Sequence, residues 1–378
     1  MKIPLNKPYI SKREIDFIQD AINNRKISGD GFYSKKVAKF IENKFGTKLA
    51  LFVNSGTAAL EMASILLELS SKDEVIMPSF TFVSTANAVL LRGAKIKFVD
   101  IEKKTLNIDP EEIKKNITNN TKAIYVVHYA GISPDMDIIQ EIAEENDLFI
   151  VEDAAQAVNA KYKNKYLGTI GDIGCYSFHE SKNYVCGEGG AIVINNAEFI
   201  ERAEVIWEKG TNRRNFFKGK IDKYTWIDIG SSFLGSDINA AFLYAQFEKM
   251  DEILEMRKKI HELYNQKFNQ IARKDTFRFP LIPEYSKPNY HIYYLIFKNQ
   301  ILRDSMMEYL NSQEIGVAFH YIPLHRSPMG ISLGNKNNNL PITEEYAYRL
   351  LRFPMFPEIK KEMIDFISSN VDRFLSNF

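Results

Sequence analysis

Over its first two-thirds the chain alternates short, nearly continuous apolar runs with amphipathic stretches. This alternation restricts the fold more than any other feature. Residues 49–53, 74–77, 95–99, 123–127, 148–151, 173–178 and 190–194 read as strands. Most are apolar at almost every position rather than at every second one, the pattern of strands buried on both faces. Between them, 57–69 and 136–145 have helical spacing, with Ile138, Ile139 and Ile142 on one stripe of the latter. Strand–helix alternation predicts an α/β fold built on a mainly parallel sheet with helices on both sides. From residue 247 the pattern changes to one long charged helix over 247–268, followed by the strand HIYYLIFK, a helix over 305–314, the strand GVAFHYIP and a last helix over 360–374. That order suits a smaller α+β C-terminal domain. A chain of 378 residues accommodates a large domain over 1–248 and a smaller one over 249–378. The Asn-rich stretch 334–339 reads as a surface loop.

Charge and cysteine content narrow the class. Lys plus Arg number 49 against 48 for Asp plus Glu, so no overall basic footprint for nucleic acid exists. The local cluster at 209–214 is the exception. The two cysteines, Cys175 and Cys186, exclude a disulfide scaffold and fit a reducing compartment. The N-terminus lacks the apolar core of a secretion signal, and no run approaches the ~18 apolar residues of a membrane span. A cytoplasmic protein without a membrane partner is expected.

Three segments carry chemistry. In LFVNSGTAALEMA a strand runs into Ser55-Gly56-Thr57 and then a helix. Free N–H groups at a helix start, with two hydroxyls, suit a phosphate, although Ser or Thr capping alone gives the same pattern. In LFIVEDAAQA an apolar strand ends in Glu152-Asp153, where an acid can hold a ligand's positive charge or simply cap a helix. In CYSFHESKNYVCGEGG a strand is followed by Lys182 and a glycine-rich turn. A lysine so placed can be desolvated and form a Schiff base, or can be a solvated loop residue. Taken together, a phosphate cradle, an acid and a lysine at the strand ends of one sheet are the parts that pyridoxal phosphate (PLP) needs. The acid would keep the pyridine ring protonated so that it serves as an electron sink.

At these residues the chain resembles the DegT-type sugar aminotransferases, within the aspartate-aminotransferase (PLP fold type I) superfamily. The likeness runs through NSGTAAL, MPSFTFVSTANAV, VDIEKKTLNID, VHYAG, VEDAAQA, SFHESKN with GEGG, and DIGSSFLGSDINAA. The resemblance implies that Lys182 is the Schiff-base lysine, that Asp153 meets the pyridine nitrogen and that Gln156 lies near the ring hydroxyl. Phe82 would stack on the ring, and Gly56, Thr57 and Ser177 would hold the phosphate. Ser232 stands where the family usually offers an asparagine to the cofactor phosphate of the neighbouring subunit. A homodimer with shared active sites is therefore expected. Further likeness at Gly29–Gly31, at 209–232 and at FHYIPLH points to enzymes that aminate dTDP-4-oxo-6-deoxy-glucose to the galacto product with L-glutamate as donor, the alternatives being the gluco product or another nucleotide-linked keto-sugar. Arg213, His320, Tyr321 and His325 are the candidate substrate-binding residues. A relative that dehydrates the sugar carries histidine in place of the lysine, so Lys182 favours transamination. A silent, PLP-fold regulator would be expected to lose Lys182 or Asp153, and both are present. His128 stands at a strand end and can line the site or be structural; His261, on the charged helix, reads as a surface residue.

Overall fold

The computed structural model describes residues 1–271 and 275–377. The seven strands expected in the first two-thirds all form: β1 (Leu49–Val53), β2 (Glu74–Pro78), β3 (Lys95–Val99), β4 (Thr121–Val127), β5 (Phe149–Asp153) and, after the two-residue strands β6 (Lys161–Tyr162) and β7 (Lys165–Tyr166), β8 (Ile173–Ser177) and β9 (Gly190–Ile194). They build one sheet in the order β1-β9-β8-β5-β4-β2-β3. Only β9 is reversed, pairing antiparallel with both β1 and β8. The continuous apolar runs have the anticipated cause. Phe52, Val126, Ile150 and Tyr176 feed one core, while Leu51, Tyr125, Val151 and Cys175 feed another on the opposite face.

Helices cover both faces. Two of them, α1 (Arg13–Asn23) and α2 (Phe32–Phe45), were not anticipated; α3 (Gly56–Leu66) and α4 (Val83–Leu90) follow β1 and β2. The start of α2 explains the Gly29–Gly31 motif. The buried Asp237 carboxylate accepts from the Tyr33 and Ser34 N–H groups and the Ser34 hydroxyl, capping α2 from a remote segment. A Cβ at Gly31 would fall 2.3 Å from Asp237 Cγ, so only glycine lets the carboxylate in.

The long charged helix forms as Met250–Gln270, and a separate helix, Asp237–Glu248, precedes it with Lys249 between them. Beyond it lie β10 (Phe277–Arg278), β11 (Ser286–Lys287), β12 (Tyr293–Phe297) and β13 (Leu350–Phe353). A three-stranded sheet has the order β10-β12-β13, while β11 joins β6. The helix Gln300–Ser312 starts before residue 305 because Asn299 caps it, accepting from the Leu302 N–H at 2.9 Å. GVAFHYIP forms no strand: it makes a single bridge, Ala318 to Arg352, and then turns toward the large sheet. The helix Lys361–Asn377 closes a third core with Tyr264, Tyr293 and Ile3. His261 is buried in this region, its ring beside Tyr290 and Tyr293. Burial pushes its pKa down to about 4, so the surface reading is corrected: the helix carrying it is covered on more than one side.

Candidate active site

Register brings the three chemical segments to one edge of the sheet. Val127, Asp153 and Cys175 are neighbours across β4, β5 and β8. Reversal of β9 then places its first residue, Gly190, between Val53 at the end of β1 and Ser177 at the end of β8. The connection 178–189 between β8 and β9 carries Lys182 over this edge. Glycines permit the approach. A Cβ on Gly56 would lie 2.8 Å from Ser177 Cβ, and one on Gly190 would lie 2.4 Å from the Ser55 backbone. A cavity of about 520 Å³ opens there, and Gly56, Thr57, Phe82, Asp153, Gln156 and Ser177 line it together with Lys182.

The start of α3 forms one wall. Ser55 Oγ accepts from the Ala58 N–H at 3.0 Å and so caps the helix. Capping does not compete with anion binding here, because the Thr57 and Ser177 hydroxyls remain on the cavity wall. Thr57 and Ser84 hydroxyls lie 2.8 Å apart. The dipole of α3 and these donors suit a phosphate group.

Asp153 forms the floor. No helix begins after it, so its role is not that of a helix cap. One carboxylate oxygen accepts from the Thr85 hydroxyl at 2.7 Å and the other from the Ala155 N–H at 3.2 Å. Thr85 lies 2.9 Å from the Thr81 hydroxyl. Since Thr85 spends its proton on Asp153, it must accept from Thr81, and the chain of hydroxyls fixes the carboxylate. The preceding residue, Glu152, points to the opposite face. It accepts from the Gly168, Ile170 and Gly171 N–H groups and pairs with His128 at 2.7 Å. His128 is thereby structural and does not line the cavity.

Lys182 is pushed down to a pKa of about 8, first by burial and further by the Arg352 charge, against the opposing pull of Asp153. Its amine therefore loses its proton far more readily than an ordinary lysine does, although it is still mostly charged at pH 7. Gln156 is held at both ends: Oε1 accepts from the Ala130 N–H at 2.8 Å and Nε2 donates to the Tyr321 hydroxyl at 2.7 Å. Tyr321 consequently keeps its own proton to donate into the cavity. His320 Nδ1 lies 3.1 Å from the Tyr129 hydroxyl, and burial, with Arg352 and Lys182, holds its ring well below the usual histidine range. Phe82, 57% exposed, lies at the cavity mouth with its ring 6.4 Å from that of Tyr321.

Three expected site residues lie elsewhere. Arg213 is outside the cavity and pairs with Glu208 at 3.2 Å. His325 is fully buried between the Ser79 hydroxyl (2.7 Å) and Glu344 (3.1 Å), which gives it a structural place rather than a substrate contact. Ser232 is exposed and bridges Glu208 in backbone pairing, away from this chain's own cavity. Conversely, the cavity includes His291 and Arg352, and Asp153 depends on Thr85; none of these was singled out by sequence. Thr85 lies inside FTFVSTAN and was findable there as a hydroxyl facing an acid. The other two had no local signal.

The donor set tests well against PLP: helix N–H groups and hydroxyls for its phosphate, Asp153 for a protonated ring nitrogen, and a weakly basic lysine for its aldehyde. Comparison with known proteins agrees. The model of the DegT/DnrJ/EryC1/StrS aminotransferase family matches residues 8–372. The chain is 31% identical to GDP-perosamine synthase of Escherichia coli O157:H7, covering 99% of each protein. Among solved structures, the aminotransferase TlmJ of Streptoalloteichus hindustanus superposes with a TM-score of 0.92 at 26% identity over 100% of both chains. DesV of S. venezuelae, solved in complex with a ketimine intermediate, gives 0.90 at 25% identity over 99% of this chain and 98% of that one. The chain belongs to the DegT/DnrJ/EryC1/StrS aminotransferase family and is a PLP-dependent transaminase of fold type I.

Proposed function

We propose that this transaminase moves the amino group of L-glutamate to C4 of dTDP-4-oxo-6-deoxy-glucose, giving dTDP-4-amino-4,6-dideoxy-galactose, in two half-reactions through one site. The observation that carries the reading is Lys182: an amine of lowered basicity, on the same sheet edge as Asp153 and the start of α3. When bound, PLP supplies the aldehyde that receives the amino group and a ring that delocalises the electron pair. Lys182 takes the proton from the donor Cα and delivers it to C4′ of the cofactor, then runs the transfer backward on the sugar. Asp153, fixed by Thr85 and the Ala155 N–H, holds the proton on the ring nitrogen. Ser177 and the start of α3 anchor the phosphate. Gln156, by holding Tyr321, keeps a phenol donor on the cavity wall.

Ser232 is assigned to the phosphate of a neighbouring subunit's cofactor, since it is exposed and does not line its own cavity. This assignment carries the homodimer with it. A second reading is favoured by one relative: the likeness to a GDP-perosamine synthase supports a GDP-linked keto-sugar as acceptor. The deciding experiment supplies PLP-loaded protein with L-glutamate and, separately, dTDP-, UDP- and GDP-linked 4-oxo-6-deoxy sugars. Mass spectrometry identifies the aminated product and NMR the configuration at C4. An axial C4 amine from the dTDP sugar is expected. Turnover of the GDP sugar alone transfers the proposal to the second reading, and no amination of any sugar refutes both.

A further inference from the structure

His291 brings to the cavity a lone pair that no other residue of the chain uses. It stands just before β12, and its buried ring meets the connection that carries Lys182. The side chain of Asn183 donates from Nδ2 to the Asn289 carbonyl at 2.8 Å, so its Oδ1 is left to accept from His291 Nδ1 at 2.9 Å. The imidazole proton is therefore on Nδ1, and Nε2 is an acceptor. Burial, and then the Lys182 and arginine charges, hold the ring well below the usual histidine range, so it is neutral. The segment is pinned from behind. Asn289 donates to the Gln156 and Val158 carbonyls, both at 2.9 Å, and the buried Arg257 guanidinium donates to the Tyr290 and His291 carbonyls. A neutral lone pair is thus fixed on the cavity wall, open to the cavity and without a partner among the described residues.

Lys182 Nζ is the complementary group, a donor that makes no hydrogen bond among the described residues. The other acceptors on the wall are committed. Asp153 accepts from the Thr85 hydroxyl and the Ala155 N–H, Gln156 Oε1 from the Ala130 N–H, and the Tyr321 oxygen from Gln156 Nε2. The Thr57 and Ser84 hydroxyls bond each other. His320 lines the cavity too, with the Tyr129 hydroxyl on its Nδ1. Unlike His320, His291 also shares with Lys182 a second, narrow gap, too small for a water molecule, whose walls include Asn183 and Asn289. We propose that His291 is a positioning residue for Lys182: once the lysine is released from the cofactor, Nε2 accepts a hydrogen bond from Nζ and holds it beside the carbons between which it carries a proton. The inference rests on the transaminase reading above, though not on which sugar is aminated. A neutral acceptor suits the task. It steadies the ammonium by a charge-assisted bond, yet raises its basicity less than the full charge of a carboxylate would, so the proton can move on.

Histidine labelled with nitrogen-15 gives the direct test. Spectra are compared between protein loaded with PLP, where Lys182 is bonded to the cofactor, and protein loaded with pyridoxamine phosphate, where the lysine is free. The His291→Asn spectrum assigns the resonances. Nδ1 should carry the proton in both forms, and the Nε2 resonance should move to lower frequency in the second, as its lone pair accepts from Nζ. In Lys182→Ala loaded with pyridoxamine phosphate it should stay where it is in PLP-loaded wild type. An unmoved Nε2 resonance, or the same movement without Lys182, overturns the inference. Two substitutions then separate the ring nitrogens. Asparagine can still donate to Asn183 but offers nothing at the Nε2 position, whereas glutamine reaches that position with an acceptor and gives up the Nδ1 donor. Stopped-flow absorbance follows PLP-loaded protein with saturating L-glutamate. Loss of a charge-assisted hydrogen bond should slow conversion in His291→Asn roughly 10- to 100-fold at an unchanged half-saturating concentration, with His291→Gln within about threefold of wild type. An asparagine variant no slower than the glutamine one overturns the inference as well, since the ring would then serve only to hold Asn183. Should wild type not react with L-glutamate, the donor assignment falls, and the nitrogen-15 spectra, which need no amino donor, decide the role of His291.

Discussion

Replacing Lys182 by methionine should stabilise the cofactor-free protein at neutral pH. The amine is lodged where its charged form is disfavoured, and its pKa falls from 10.5 to about 8. That difference corresponds to about 3 kcal/mol, at 1.36 kcal/mol for each unit of pKa. The sign follows from proton counting. Below pH 8 the lysine is charged in both folded and unfolded chains, and folding bears the whole penalty. Between about 8 and 10.5 the unfolded chain binds the proton and the folded chain does not, so wild-type stability rises with pH through this window. Lys182→Met is neutral at every pH and avoids the penalty. Urea denaturation of both proteins, stripped of cofactor, should show the variant ahead by about 3 kcal/mol at pH 7. The lead should shrink by about 2 kcal/mol by pH 9.5, and taking the difference between the two proteins cancels the titration of other groups. No lead at pH 7, or a lead that stays constant between pH 7 and 9.5, would mean that Lys182 is an ordinary hydrated lysine and would refute the burial argument.

Three further outcomes are expected. Asp153→Asn keeps the Thr85 contact but removes the charge; the protein should retain cofactor by absorbance while kcat falls roughly a thousandfold. His325→Ala leaves the Ser79 hydroxyl and Glu344 without their buried partner; thermal or urea denaturation should show a loss of about 1–3 kcal/mol, with kcat and KM per folded molecule unchanged. Ser232→Ala should weaken PLP affinity roughly tenfold to a hundredfold, leaving the oligomeric state as it was by light scattering. Co-refolded mixtures of Lys182→Ala and Ser232→Ala subunits should then recover one normal site per mixed dimer, and mixtures without any gain count against sharing.

How legible the fold was depended on how local its causes are. Most strands of the large sheet are buried on two faces, so their sequences must be largely apolar, and β1 to β5, β8 and β9 could be read directly. The N-terminal helices were not readable in the same way. The start of α2 is capped by Asp237, two hundred residues away in sequence, and no capping residue of its own announces it. The charged helix, by contrast, was legible almost to its ends, expected over 247–268 and formed over Met250–Gln270. GVAFHYIP reads as a strand because it is short and apolar, yet of its residues only Ala318 pairs, bridging to Arg352 of β13. The β13 segment contains a charged residue, Arg352, that reads as a break in an apolar run until the cavity it faces is known.

The same division runs through the site. Gly56, Ser177, Asp153 and Lys182 sit in motifs whose local shape already limits what they can do: a strand end, a tight turn, a helix start. Their chemistry could be inferred because their positions are set by neighbours in sequence. Arg352 and His291 are different. Arg352 sits within an ordinary short strand and His291 just before one, and their surroundings are set by other segments: Lys182 near Arg352, and Asn183 bonded to His291. The same reasoning accounts for His325, which looked like a ligand because histidine is often one, yet Ser79 and Glu344 already occupy both its nitrogens. A polar residue is therefore available to a substrate only when its hydrogen-bonding capacity is not consumed within the protein. By that measure the two sides of the cavity have different tasks. The large sheet presents partnered groups, Asp153 and Gln156, that hold fixed positions. The C-terminal segments add His291, His320, Tyr321 and Arg352 to the same cavity.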